Sequence, residues 1–393
     1  MITLLCIGDL HLRSGPHLED VRRCLDFAAK LADERQVHGV LLAGDIFEGK
    51  SSEEERDIFG DALADLSVDG HGQPRHVLVV KGNHDRPLDL EVYAGYPHVT
   101  VMERPGIVAL GHSRSTTTVD VLCCPWPERA FLAANGFAGE QADQAGSAAL
   151  AAMLRAMVAT REHPERPLVV LAHLQVLGAI SSSAQPLVGR SIEIALGELQ
   201  DLGAAAIVLG HVHRPQELAP NIHYIGSFTC HDFGEQGEQK RVGILTIDDA
   251  GTASWEWVSV PCRRWLTVEA EIGEDGPPVE DWPTVTTAAD EEAVIAGGME
   301  ALAAGSCVRY VYRCDETNES LFDHATITRR FAAAHTLKIE PRVERAARVR
   351  SAEVAAARTA LQKLEAWGQA TGTEITPALV EKLHALESEV ANV

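Results

Sequence analysis

The stretch Ile2-Thr3-Leu4-Leu5-Cys6-Ile7-Gly8-Asp9-Leu10-His11 decides how this chain is read. A short apolar run ends in a glycine, then delivers a carboxylate and an imidazole. Ile2–Ile7 lacks a basic segment before it and is too short for a leader, so it reads as a first strand. The same grammar recurs downstream. Val40–Ala43 ends in Gly44-Asp45, His76–Val80 in Gly82-Asn83-His84-Asp85, Leu168–Ala172 in His173, and Ala205–Leu209 in Gly210-His211-Val212-His213. Ile222–Ile225 and Val242–Ile247 are two further runs. Such continuous apolar runs predict strands covered on both faces.

Helical periodicity separates the runs. Leu18, Val21, Leu25, Ala28 and Leu31 form one stripe, and Ile58, Ala62 and Leu66 another; Ala149–Val158 and Ile192–Leu199 follow. Strands alternating with helices predict an α/β domain over residues 1–260. Ligand sites in such sheets form at the carboxyl ends of the strands. Each segment therefore sends Asp, Asn or His to one edge.

The rest of the chain changes character twice. Residues 261–300 hold ten Asp or Glu against Arg263 and Arg264. Strand-like Leu266–Ile272 and Val308–Tyr312 flank a helix expected over Ala288–Ala303, with a loop over Gly273–Pro283. This predicts a small α+β capping domain over 261–340. Residues 341–393 read as C-terminal helices, one over 342–366 ended by Gly368 and Gly372. The other is capped by Thr376 and Pro377 and carries Leu379, Leu383, Leu386 and Val390 on one stripe.

Composition narrows the class. With 393 residues, 46% hydrophobic and 23% charged, the chain is neither a disordered tail nor a fibrous repeat. The net charge of −23 repels nucleic acid and anionic membranes overall, so action on DNA needs bound cations, local basic groups or a partner. Eight cysteines without a C-x-x-C pair read as buried hydrophobes in a reducing cytoplasm. No apolar run approaches the roughly 18 residues of a membrane span.

Asp9, His11, Asp45, Asn83, His173, His211 and His213 offer oxygen and nitrogen donors without a thiolate. That mixture suits Mn²⁺, Fe²⁺ or Zn²⁺. Seven donors exceed what one such ion needs. With one carboxylate shared, they make two sets of four. Two divalent ions about 3.5–4 Å apart are a known device for in-line displacement at phosphorus. A lone Asp-x-His or His-x-His arises often by chance, and Gly-Asn-His-Asp is an ordinary turn. Five such segments in series, each after an apolar strand, are not coincidental.

The order D-x-H, G-D, G-N-H-D, H, G-H-x-H over residues 9–213 resembles that of the calcineurin-like metallophosphoesterases. Within them the chain looks most like the SbcD-type nuclease subunit of bacterial double-strand-break repair. Asp9-Leu10-His11-Leu12, Gly44-Asp45-Ile46-Phe47, Tyr224-Ile225-Gly226-Ser227 and Asp232-Phe233-Gly234-Glu235 carry that likeness. It implies a sandwich of two β-sheets flanked by helices, with the cap and terminal helices appended. It also implies one metal on Asp9, His11, Asp45 and His213 and another on Asp45, Asn83, His173 and His211, with Mn²⁺ the first expectation.

In the same likeness His84 approaches the scissile phosphate and protonates the leaving oxygen. Glu48 stands where an acid orients that histidine, and Asp85 steadies the loop. Arg13 and Arg86 follow ligand motifs closely and are candidates to contact substrate phosphates. The other histidines lack ligand spacing; His231, beside the Gly226–Glu235 segment, is the first of them to examine.

The implied activity is a metal-dependent DNA nuclease, exonuclease or endonuclease, working in repair or recombination with an SbcC-like coiled-coil ATPase. The expected assembly is a homodimer using segments between Leu88 and Thr160, with Val354, Leu361, Leu364 and Leu379–Val390 as the docking stripes. No Walker A pattern is present, so the chain alone is not an ATPase. Two alternatives stand beside this: hydrolysis of a small phosphodiester or phosphomonoester such as a cyclic nucleotide, and a non-catalytic scaffold of the same fold.

Overall fold

The computed structural model describes residues 1–393 apart from Pro16, 129–141, 183–191, 274–277, 285–287, 345–351 and 391–393. The strands in chain order are β1 (Ile2–Ile7), β2 (Gly39–Leu42), β3 (His76–Val80), β4 (Val99–Met102), β5 (Gly106–Leu110), β6 (Val119–Cys124), β7 (Leu168–His173), β8 (Gln175–Val176) and β9 (Glu193–Ile194). They continue with β10 (Ala206–Gly210), β11 (Gln216–Ala219), β12 (Ile222–Tyr224), β13 (Arg241–Ile247), β14 (Ala253–Ser259), β15 (Trp265–Glu271), β16 (Val279–Asp281), β17 (Cys307–Asp315) and β18 (Thr336–Glu344).

Two six-stranded sheets form a sandwich, as expected: β14-β13-β1-β2-β3-β4 and β11-β12-β10-β7-β6-β5. The period-two alternation of strand side chains divides the core into layers. Leu5 and Ile7 of β1 point outward to helices α1 (Leu18–Glu34) and α2 (Glu53–Leu66). Leu4 and Cys6 point inward, where they join Leu41, Val80, Val121, Leu171 and Val208 between the sheets. Fully burying each such aliphatic side chain contributes about 1.5–3 kcal/mol, so this middle layer fixes the distance between the two rows of strand ends. All eight cysteines are free, and all but Cys262 are buried.

Register then positions the chemistry. β1 runs parallel to β2 with Ile7 opposite Leu42, and β2 parallel to β3 with Leu42 opposite Val79. The loops that follow, carrying Asp9, Asp45 and Asn83, therefore emerge side by side. In the second sheet β7 and β10 are parallel with His173 opposite Gly210, which sets His173 next to His211. α2 begins with a capping box, Ser52 and Glu55 exchanging side-chain and backbone hydrogen bonds, which ends the Asp45 loop at a fixed point.

Several expectations need revision. Residues 192–199 are not one helix: Glu193–Ile194 pairs with Gln175–Val176, and a short helix starts only at Leu196. The alternating Ile192-Glu193-Ile194, β-branched on both sides, favours the strand. Within the expected Gly273–Pro283 loop, Val279–Asp281 forms β16, while 274–277 lie outside the described residues. Arg342, Val343 and Glu344 end β18 rather than starting a helix. The helical part of that stretch is Ala352–Ala356 and Ala360–Thr371, and 345–351 lie outside the described residues. Thr359 interrupts it as an extended N-cap with its own capping box. The Ala288–Ala303 helix stands, broken at Gly297 and Gly298.

The chain divides into two compact units. One comprises Met1–Val268, Asp281–Tyr310 and Ala325–Ile339; the other comprises Glu269–Glu280, Val311–His324 and Glu340–Val393. A four-stranded sheet follows the sandwich in the chain, ordered β16-β15-β17-β18. The Pro377–Val390 helix leaves Leu379 and Leu386 exposed. Among the described residues, no helix is long and apolar enough to cross a membrane.

Candidate metal centre

All seven expected donors converge at the carboxyl edge of the two sheets. The loops are laced together first by backbone: the amides of Leu10 and His11 donate to the Asp45 carbonyl at 3.0 and 2.9 Å, and the Phe228 amide donates to the Asp9 carbonyl at 2.8 Å. Space is tight. A Cβ at Gly82 would collide with Asp45, and one at Gly44, where φ is +98°, with the His173 ring. Glycine is thus required at both loop entries. Among the described residues five non-glycine positions have positive φ, and three of these are His11, Asp45 and His211. Such backbone costs roughly 1–3 kcal/mol each and clusters at functional sites.

One group of donors gathers on Asp45 and the second sheet. His173 Nε2 lies 3.2 Å from Asp45 Oδ2. Asn83 Oδ1 has His173 Nε2 at 2.9 Å and His211 Nδ1 at 2.8 Å. The other ring nitrogen of His173 lies 2.7 Å from the Ala43 carbonyl, which fixes the tautomer that leaves Nε2 free to ligate. Trp126 packs on His211 with ring centres 4.6 Å apart and walls that side.

The other group gathers around His11. Its Nε2 lies 3.6 Å from Asp45 Oδ2 and 3.0 Å from His213 Nε2. Both rings are braced from behind by carboxylates: Glu48 lies 2.6 Å from His11 Nδ1, and Glu235 2.7 Å from His213 Nδ1. The Nε2 atoms of the two rings face each other. Asp9 Oδ1 accepts the His211 amide at 2.8 Å, while Asp9 Oδ2 is buried with no hydrogen-bond partner. A buried carboxylate oxygen left unpaired is costly, and two facing imidazole nitrogens are an ion's natural neighbours. The donors fit two divalent cations sharing Asp45.

Electrostatics agree with that use. Burial would raise the Asp45 carboxyl, but His173 above all, then His11 and the His84 amide, hold it well below the usual carboxylate range. Burial would lower His173, yet Asp45 and then Asp9 lift it to about 9 in the metal-free protein. Burial, reinforced by His173, pushes His211 down to about 3, so its lone pair is available at any physiological pH. Asp85 is buried; its oxygens accept the Phe47 and Gly82 amides at 3.0 and 2.8 Å, tying the second and third loops together.

His84 sits at the mouth, its side chain 39% exposed. Its amide donates to Asp45 Oδ1 at 2.8 Å. The ring Nδ1 is 3.3 Å from the Glu48 carbonyl and 3.7 Å from the Glu48 carboxylate. Glu48 therefore touches both histidines, His11 more closely than His84. A cavity of about 530 Å³ opens beside His84, lined by Glu48, Lys81, Arg86, Trp126 and Glu128 among others. Arg86 thus faces the open side. Arg13 is not among the lining residues; its guanidinium donates to the His231 carbonyl at 2.9 Å.

Sequence reasoning assigned no role to Glu235, Lys240 or Trp126. Glu235 Oε2 lies 3.0 Å from Lys240 Nζ, and the His231 amide donates to it at 3.0 Å. Burial would raise the Glu235 carboxyl, but His213 and Lys240 hold it down to about 2. Glu235 lay within the Gly226–Glu235 segment; its approach to His213 follows from the chain folding back after β12, which no local pattern encodes.

A family model of the calcineurin-like phosphoesterases matches residues 2–215, more than half of the chain. The chain belongs to that family. Its members are metal-dependent hydrolases, and each of the seven donors lies within the matched span. Among solved structures, a dimetal phosphatase from Danio rerio is 13% identical with a TM-score of 0.37, covering 66% of this chain and 99% of that one. The protein TT1561 of Thermus thermophilus is 12% identical with a TM-score of 0.35, covering 65% and 98%. No curated protein shows significant similarity. As a calcineurin-like phosphoesterase the chain carries about 180 residues beyond the matched span, including β13 and β14 of its first sheet.

Proposed function

We propose that this calcineurin-like phosphoesterase is a DNA nuclease subunit of the SbcD type, hydrolysing phosphodiesters with two divalent ions, Mn²⁺ first among them. The observation that carries the reading is the pair of donor groups sharing Asp45 with His84 at their open mouth. When bound, the two ions would polarise the phosphate and activate water. Asp9, His11, Asp45 and His213 would hold one, and Asp45, Asn83, His173 and His211 the other. His84 would meet the phosphate from the open side and give its proton to the leaving oxygen. Glu48 holds His11 and steadies His84. Lys81, Arg86 and Trp126 line the approach and suit a phosphate flanked by a base.

The segments beyond the family core favour a polymer over a small ester, which needs neither an extra sheet nor terminal helices. The net charge of −23 favours a partner that supplies the grip on duplex, and an SbcC-like coiled-coil ATPase is the partner proposed. A homodimer through segments of 88–160 belongs to the same proposal; residues 129–141 of that stretch lie outside the described residues.

The deciding experiment compares duplex DNA, bis-p-nitrophenyl phosphate and cyclic AMP in the presence of Mn²⁺. Cleavage of DNA is expected. Strong cyclic AMP hydrolysis with intact DNA in every metal would reverse the order in favour of a small-molecule esterase. Removing residues 345–393, which spares β18, is expected to keep hydrolysis of the small diester and to abolish binding of the coiled-coil ATPase. Unchanged ATPase affinity would refute docking through the helices.

A further inference from the structure

His231 is a histidine at this edge to which the motifs assign no role. It follows β12 in the Gly226–Glu235 segment and is 9% exposed. Both of its ring nitrogens are buried without a hydrogen-bond partner. A neutral imidazole carries one donor and one acceptor, and burying both unpaired is among the least favourable things a core can do. Its carbonyl and amide are held by Arg13 and Glu235 at 2.9 and 3.0 Å, so the ring is held at this edge by its backbone.

Its surroundings are imidazoles. Ring centres of His11, His213 and His231 form a near-equilateral triangle, with sides of 4.7 Å (His11–His213), 4.9 Å (His11–His231) and 5.0 Å (His213–His231). Imidazoles on neighbouring positions of one five-coordinate ion, each about 2.0–2.1 Å from it through nitrogen, set their ring centres about 4.5–5.5 Å apart. Donor atoms of His213, His231 and Glu235 lie within 4.8 Å of one another, which puts a His231 nitrogen near His213. The His17 ring lies tilted against His231, centres 4.9 Å apart.

We propose that His231 is an additional nitrogen donor to the cation seated at His11 and His213. The inference rests on the metal-centre reading above and deepens it: one ion would see three imidazoles, the other two and an amide oxygen. The two positions then differ in chemistry. The His11 side favours borderline ions such as Zn²⁺ or Fe²⁺, and the Asn83 side accepts Mn²⁺ more readily.

The test strips the full-length protein of metal and titrates it calorimetrically with Zn²⁺ and with Mn²⁺, alongside His231→Phe. Wild type is expected to bind two ions. His231→Phe is expected to retain one unchanged and to lose at least about tenfold in affinity for the other, the loss being larger for Zn²⁺. The metal-free variant is expected to melt no lower than wild type, because phenylalanine fills the space without unpaired nitrogens. If wild type binds no ion, the metal centre itself fails. If both proteins bind two ions equally, only the role of His231 fails. Should the variant not fold, a zinc-soaked crystal of wild type decides: a His231 nitrogen at ligand distance from anomalous density supports the proposal, and one held off by water or turned away overturns it.

Discussion

Asp45→Asn is expected to remain folded, to bind neither divalent ion tightly and to lose hydrolysis of bis-p-nitrophenyl phosphate by ~10³-fold or more. The Asp45 carboxylate is the one group common to both donor sets, with His173 Nε2 at 3.2 Å and His11 Nε2 at 3.6 Å from the same oxygen. An amide there halves the acceptor capacity and removes the charge. The backbone tolerates the change, since φ is +47° at Asp45 and asparagine is among the residues most at ease in left-handed conformation. The substitution therefore separates metal binding from folding. Metal content by elemental analysis, read beside turnover, checks both. Two ions retained at wild-type affinity would remove Asp45 from the bridge.

His84→Gln is expected to behave differently: both ions stay and turnover falls roughly 10²–10⁴-fold. What His84 gives Asp45 is its backbone amide, which glutamine preserves. What glutamine lacks is a transferable proton. The deficit should consequently grow with the basicity of the leaving group, being smaller for a p-nitrophenyl ester than for an alkyl ester or DNA. An equal deficit for all leaving groups would assign His84 to charge stabilisation instead of proton donation. Loss of an ion would contradict its separation from the donor sets.

The centre was legible in the sequence because its parts are local. Each donor sits within a few residues of a strand end, and a strand buried on both faces announces itself as an apolar run. Ile2–Ile7, His76–Val80 and the other ligand-bearing strands follow that pattern. What escaped was non-local. β6 is buried at every position yet ends in Cys123-Cys124, with no donor to draw notice. β14 alternates around Trp255 and Trp257, whose stacked rings cover a glycine of β13 from across the sheet. The helix expected over 342–366 is displaced at its start for a related reason: alanine-rich composition signals helix, and Ala352–Ala356 and Ala360–Thr371 are helical, but pairing with β17 claims the stretch up to Glu344 as strand. Spacing alone drew notice to Glu48 as a neighbour of His84. Its closer approach to His11 depends on ring geometry that spacing does not contain.

The return of the chain after β12 has a consequence for how the protein can be cut. The Ser227 amide and the Lys240 ammonium both donate to the His213 carbonyl, at 3.0 and 3.1 Å, and Glu235 grips the same residue's ring. β13 then inserts beside β1 at the heart of the first sheet. A fragment ending where the family signature ends would carry the seven motif donors and lack the Ser227, Glu235 and Lys240 contacts that hold His213. For expression, homology transfer or engineering, the smallest working piece is set by this clasp and extends well past the last recognisable motif.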